Sequence, residues 1–254
     1  MFLHLFALGT AGALLAVPFK EIGKYYFKFH ATILLVLVCA SVLIGRPWIA
    51  IADGVAYARV TAAIGLLFAL LVLVQNGVVR AAGRDLRIDS LILPVSAGAM
   101  FVFLSAFGGT AYGTGKAVLL TAHLLTSAAA LGSALVAMTT GHWYLANAKL
   151  SFDILVRLCR LFALSIGAKA AVVGIYAVTR FTDYLAMDDF YKLVMGMRIG
   201  AGIVLALVLA LMSLSCAKRR ANQSATGILY VAVVFVLIGE TISIYLTLGI
   251  QRPI

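Results

Sequence analysis

The chain has 254 residues, of which 64% are hydrophobic and 11% are charged, and its formal net charge is +11. Soluble globular domains are nearer half apolar and a quarter charged, so this composition excludes an ordinary soluble domain, a disordered chain and a fibrous chain. Eight membrane spans of about 20 residues would occupy roughly two thirds of the chain. The sequence therefore predicts an all-α, polytopic membrane protein.

Eight apolar segments follow one another along the chain, at 2–18, 28–45, 58–79, 91–107, 117–141, 154–179, 191–215 and 225–248. Segments of this length must be helices, because lipid cannot satisfy open backbone groups. A turn is predicted after the second segment, at Gly45-Arg46-Pro47. We interpret the first segment as a retained span, since its lysines follow the apolar stretch. Residues 1–254 are thus expected to form one bundle of about eight spans.

The positions of the basic residues in short loops explain the positive net charge by membrane topology, so nucleic-acid binding is not needed to account for it. Twelve of the twenty Lys and Arg residues lie on the side reached after the first span, and seven lie on the opposite side. Short basic loops are cytoplasmic, so this distribution predicts that both termini lie on the non-cytoplasmic side. The compact loops and the basic edge favour a bacterial inner (cytoplasmic) membrane.

A weak internal repeat relates the two halves of the chain. Ungapped identities fall at His4/His123, Leu5/Leu124, Ala11/Ala130 and Val17/Val136. Four identities in an apolar background also arise by chance. If the repeat is genuine, residues 1–116 and 117–254 form a four-plus-four duplication, an arrangement that transporter folds use.

Four histidines lie near the predicted membrane boundaries. His4 and His123 are near one face of the membrane, and His30 and His142 are near the other. Two facing histidines from different helices can ligate a b-type haem. One or two haem b groups, with iron held by the His4–His123 and His30–His142 pairs, would carry electrons across the membrane. In the alternative interpretation, each imidazole occupies an interfacial position without any ligand.

Span five also offers the space that a haem requires. Its small residues form a stripe between His123 and His142, made of Ser127, Ala130, Ala134, Ala137 and Gly141. A flat macrocycle could approach the backbone along this stripe. Small-residue stripes are equally the means by which membrane helices pack against each other.

Lys169 and Glu240 are ionisable residues inside the predicted spans. Each lies about 15 residues from the start of its span, and a charge at that depth costs about 2.5–3.5 kcal/mol. We therefore expect an ion pair, or a cavity that both residues line. Such residues serve proton relays, ion paths or quinone chemistry, and a purely structural pair is the alternative.

A polar and aromatic patch is predicted at the cytoplasmic edge. Tyr144, Arg157 and Arg160 could hold a quinone head, an anionic lipid or a peripheral subunit. Further along the chain, Gly196 and Gly200 have the GxxxG spacing that is typical of close helix packing. Arg198 lies between these glycines, so a protein neighbour or a polar cavity is expected there.

The leading interpretation is an integral-membrane electron-transfer subunit, similar in role to b-type cytochromes or quinone-reactive anchors. Such a subunit needs membrane or peripheral redox partners, since the chain has no large soluble part. One alternative is a cofactor-free accessory or assembly subunit of a larger respiratory complex. A second alternative is a small-solute or ion transporter that uses the Lys169–Glu240 pair.

Overall fold

The computed structural model describes residues 2–49, 114–146, 150–179 and 188–249, with a few single positions between 67 and 98. Within these ranges the regular elements are all helical. They are α1 (Phe2–Leu14), α2 (Phe19–Ile22), α3 (Lys24–Ile49), α4 (Thr114–Ala146), α5 (Phe152–Thr179), α6 (Asp189–Ile199), α7 (Ala206–Lys218) and α8 (Asn222–Gly249). A π-helical segment, Gly200–Leu205, joins α6 to α7.

Four stretches are long and apolar enough to cross a membrane, namely Val118–Ala146, Phe152–Thr179, Asp189–Lys218 and Asn222–Thr247. They support an all-helical integral membrane protein. Helix α1 is apolar but has only 13 residues. The predicted spans 58–79 and 91–107 lie almost entirely outside the described residues. The fold therefore supports four spans, and it does not establish eight spans or the side on which the termini lie.

Two predicted helix ends differ from those in the structure. Helix α1 ends at Leu14 instead of 18, because the chain tightens into i→i−3 bonds such as Leu15 N–H to Gly12 O (3.2 Å) before Pro18. The turn predicted at Gly45-Arg46-Pro47 is wrong, because α3 continues to Ile49. A proline in the last turn of an apolar helix removes one backbone hydrogen bond, which membrane helices tolerate.

Helix α4 is the central element and packs against α1, α5 and α8. Its small residues face these helices, and Ala130, Ala134 and Ala137 are fully buried. At the crossing with α1, a Cβ atom added to Gly9 would overlap the carbonyl group of Ala128. The stripe of small residues therefore allows close packing between helices in this region, as expected for membrane bundles.

The α1–α4 crossing predicts a position-specific cost for adding one methyl group. Gly9→Ala should lower the stability in detergent by about 1–3 kcal/mol, because the helices must separate to accommodate the methyl group. Gly12→Ala on the same helix is the matched control, since nothing lies within 4 Å of the added atom. Thermal unfolding of both variants tests this, and equal melting temperatures would contradict the described crossing.

Candidate functional site

The predicted ion pair is present and has a third member. Lys169 Nζ lies 3.4 Å from Glu240 Oε2, and Arg198 Nη2 lies 3.2 Å from Glu240 Oε1. All three side chains are at most 1% exposed. One carboxylate on α8 thus joins a lysine on α5 and an arginine on α6.

His123 on α4 completes this site, which we call the buried ion cluster (His123, Lys169, Arg198 and Glu240). Lys169 Nζ donates to the carbonyl oxygen of His123 at 3.0 Å and contacts Ser127 Oγ. The two ring nitrogens of His123 lie 3.2 and 3.3 Å from the same amine. His123 Nε2 is also 2.9 Å from Ser243 Oγ. The cluster therefore brings together groups from four helical elements.

Helical periodicity aligns the cluster residues on shared faces. His123 and Ser127 are four residues apart on α4, and Glu240 and Ser243 are three residues apart on α8. Residues at these spacings lie on one face of a helix. Ser127 is 1% exposed, and Ser243 is fully buried. Each face thus supplies one titratable group and one hydroxyl to the same buried space.

Arg198 is positioned by a contact between two glycines. The π-helical segment that follows α6 brings Gly202 onto Gly239 of α8, so that a Cβ at Gly202 would lie 2.5 Å from Gly239 Cα. The same Cβ would lie 2.8 Å from Arg198 Nη1. The absent side chains leave room for the guanidinium beside Glu240. Such π-helical turns are frequent at functional sites.

The cluster lies deep in the bundle but closer to one end. Lys169, Arg198 and Glu240 are each nine or ten residues from the helix end at Thr179, Asp189 or Gly249, roughly 15 Å along the axis. The opposite ends of α5 and α8 are roughly 25 Å away. The residues therefore lie about two and a half helical turns or more inside the helices that carry them, and their depth in a membrane stays a prediction.

The site contains more basic than acidic side chains, and some of its buried polar atoms have no hydrogen-bond partner among the described residues. Two cations face one carboxylate. Arg198 Nε and Nη1 are buried and have no hydrogen-bond partner among the described residues, and the same holds for Glu240 Oε2, which lies 3.4 Å from Lys169 Nζ. An unsatisfied buried donor costs about 1–3 kcal/mol, and more when it is charged. The cluster thus contains two basic side chains for one carboxylate, together with unmet hydrogen-bonding atoms on both Arg198 and Glu240.

The histidine pairs predicted to bind haem have other contacts in the structure. His123 lies in the ion cluster, whereas Nδ1 of His4 contacts Ser41 Oγ on α3, and the His4 ring lies 5.8 Å from that of Phe68. His30 Nδ1 donates to the carbonyl oxygen of Tyr26 at 3.0 Å, and its Nε2 lies 2.9 Å from Thr139 Oγ1. The contacts of His30 and His123 involve both ring nitrogens, one of which a haem iron would need, and haem ligation stays a prediction.

His142 and His30 have different hydrogen-bond partners in the structure. Its Nδ1 is 3.0 Å from the hydroxyl of Tyr230 on α8, and the residue is exposed. Within the described part of the chain, no group of three or more His, Cys, Asp or Glu side chains is placed to hold a metal ion. The histidines therefore bond mainly to neighbouring hydroxyl groups.

The predicted quinone or lipid patch lies where α4 meets α5. The Tyr144 hydroxyl donates to the carbonyl of Ser151, and its ring stacks on Phe152 with centroids 6.2 Å apart. Arg157 is exposed and donates to Ala16 O at 3.4 Å, just beyond the end of α1. Arg160 is exposed on the same helix. Tyr144 thus closes the turn, and the two arginines remain accessible to a head group.

The GxxxG prediction placed the close contact at the wrong glycines. Gly196 and Gly200 are exposed, and nothing among the described atoms lies within 4 Å of a Cβ added to either. The close approach occurs at Gly202 instead. Arg198 is fully buried against protein, as its charge requires.

Sequence reasoning missed the roles of Arg198 and His123 in the ion cluster. Arg198 was assigned to its own glycine motif, and His123 was assigned to a haem. The available signal was depth, because both residues lie on the same side of their spans as Lys169 and Glu240. Similar depth predicts that residues lie at one height in the bundle, but it does not predict which helices are neighbours.

Comparisons with protein-family models, with curated proteins and with solved structures found no match for this chain. The function is therefore argued from the chain's own residues.

The shared carboxylate predicts unequal costs for neutralising the cluster. Glu240→Gln should destabilise the protein by about 3–5 kcal/mol, because it leaves two buried cations without a counter-charge. Lys169→Met should cost less, because Arg198 and Glu240 remain as a balanced pair. Thermal unfolding in one detergent compares them, and an equal or reversed order would show that the two cations do not share Glu240.

Proposed function

We propose that this protein is a membrane transporter of protons or small ions, and that the buried ion cluster is its transport site. The observation that carries the proposal is the set of four titratable or charged groups from four helical elements, closed around Glu240 in the apolar layer. Intramembrane ionisable groups are expensive, and they characterise proton relays and ion paths. Glu240 is the central proton or ion carrier in this proposal, and Lys169 and His123 are its exchange partners.

Three features of the site support transport over a purely structural role. The cluster has one more basic side chain than a self-contained ion pair needs, and Arg198 has buried donors that no described residue accepts. A π-helical segment interrupts the span that carries Arg198. Ion sites of secondary transporters are typically built at such interruptions.

The direct test is ion flux in proteoliposomes. Purified protein is reconstituted with a pH-sensitive dye inside the vesicles, and a potassium gradient with valinomycin imposes a potential. Wild-type vesicles should acidify or alkalinise faster than empty ones, and Glu240→Gln should reduce the rate at least tenfold because it removes the carboxylate.

Asp189→Asn is the matched control for this experiment. It makes the same carboxylate-to-amide change at a side chain that is 96% exposed at the start of α6, and it should retain the wild-type rate. Wild-type flux no faster than that of empty vesicles, with either sign of the potential and in several salts, would refute the proposal.

Electron transfer by a haem b subunit and an accessory role in a respiratory complex remain alternative proposals. The first predicts a b-type band in a reduced-minus-oxidised spectrum of protein expressed with haem supplied. His123→Ala should then abolish one haem signal, and His142→Ala should abolish the other. A spectrum without a haem band would reject haem, and unchanged bands in both variants would reject these ligands.

The membrane arrangement is proposed with the function. About eight spans in a bacterial inner membrane, with both termini on the non-cytoplasmic side, would place the ion cluster nearer the non-cytoplasmic surface. The basic side of the chain supports this orientation.

A further inference from the structure

We infer that the connection between α7 and α8 binds the phosphate group of an anionic phospholipid. Lys218 is the last residue of α7, and Arg219 and Arg220 follow it; we call these three residues the basic turn. The basic turn joins two of the four stretches that are long and apolar enough to cross a membrane. A connection in this position lies at a membrane surface, at the level of the lipid head groups. This inference goes beyond the proposed function and does not depend on it.

The basic turn carries three positive charges that the protein itself does not neutralise. All three side chains are exposed. None of them forms an ion pair with a residue in the described ranges. Clusters of basic side chains at the end of a membrane span attract anionic lipids. The charge of the turn therefore matches a lipid phosphate.

Arg220 has a backbone conformation that glycine usually adopts. Its φ is 60°. Helix α7 ends in a Schellman motif, in which Arg220 N–H bonds to Ala217 O and Ala221 N–H bonds to Cys216 O, both at 3.0 Å. The residue that follows the helix in this motif is usually glycine, because a Cβ atom is unfavourable at a positive φ. The arginine thus lowers the stability of the turn, and a ligand for its side chain explains that cost.

The guanidinium of Arg220 is placed at the surface by an aromatic ring. Its Cζ atom lies 5.3 Å from the ring centroid of Phe152, at the start of α5. Attraction between a cation and a ring orients the charge without supplying a hydrogen-bond acceptor of its own. The N–H donors therefore remain available, and their planar arrangement suits two oxygens of one phosphate group.

The exposed apolar face of α7 offers a surface for the acyl chains. Leu211 is seven residues before Lys218, so the two side chains lie on one face of the helix, about two turns apart. Leu211 and Val208 are 53% and 46% exposed. A lipid with its phosphate at the basic turn would lay its chains along these side chains. Both parts of a phospholipid thus have a matching surface, which favours a lipid over a free phosphate ion.

The binding test uses the purified full chain in a neutral detergent. Thermal unfolding is measured with phosphatidylglycerol and with phosphatidylcholine that has the same acyl chains, at equal ratios of lipid to detergent. Phosphatidylglycerol should raise the melting temperature by roughly 5 °C more, because a ligand that binds the folded state stabilises it. The water-soluble head group glycerophosphoglycerol should have no effect. If it stabilised the protein as much as the lipid, the site would bind a free phosphodiester, and the lipid assignment would be wrong.

Arg220→Gly separates lipid binding from a structural role of the arginine. Without lipid, this variant should melt roughly 2 °C higher than the wild type, because glycine adopts a positive φ at no steric cost. With phosphatidylglycerol, it should lose at least half of the wild-type shift. A structural role predicts the opposite result, which is a lower melting temperature without lipid and an unchanged lipid shift.

Lys192→Gln is the matched control, since it removes a partly exposed cation at the opposite end of the span that Lys218 ends. It should respond to phosphatidylglycerol like the wild type. The combined variant Lys218→Gln, Arg219→Gln and Arg220→Gly should lose the difference between the two lipids. Equal shifts for both lipids in the wild type, or the full phosphatidylglycerol shift in the combined variant, would overturn the inference.

Discussion

The structure depends on one shared carboxylate. Glu240 faces Lys169 from α5 and Arg198 from α6, and all three groups are buried. Hydrocarbon cannot solvate them, so the three helices must keep a register in which the charges meet. Apolar packing alone tolerates sliding and repacking of similar side chains, whereas this contact does not. The ion cluster therefore fixes the relative heights of α5, α6 and α8.

Helix α4 connects the ion cluster to the rest of the bundle. It contributes His123 and Ser127 at one end of its length, and its glycines and alanines contact α1 and α8 further along. Because this helix packs closely on three neighbours, the imidazole that touches Lys169 is supported by a rigid element. Close packing and polar contact are thus complementary requirements on a single helix.

The membrane class, the four long apolar helices after residue 114 and the Lys169–Glu240 contact were predictable, because each follows from the cost of placing polar groups or charges in an apolar environment. Apolar length specifies a span, and two unpaired charges at similar depth would each be unfavourable. Arg198 was not predictable as the third member, because its glycine motif indicated contacts at Gly196 and Gly200. The true contact lies at Gly202, within a π-helical segment whose position the hydrophobic pattern does not indicate.

The span that contains that segment combines close helix packing with a buried charge. On its C-terminal side, α7 packs against both α5 and α8, and its Ala206, Ala210 and Ala217 are buried at spacings of one and two helical turns. On its N-terminal side, α6 contacts α8 and presents Arg198 to Glu240. Arg198, Gly202, Ala206 and Ala210 are buried at successive spacings of four residues through the π-helical segment. The span therefore keeps one buried face along its length, on which an arginine that meets Glu240 is followed by small residues that pack closely.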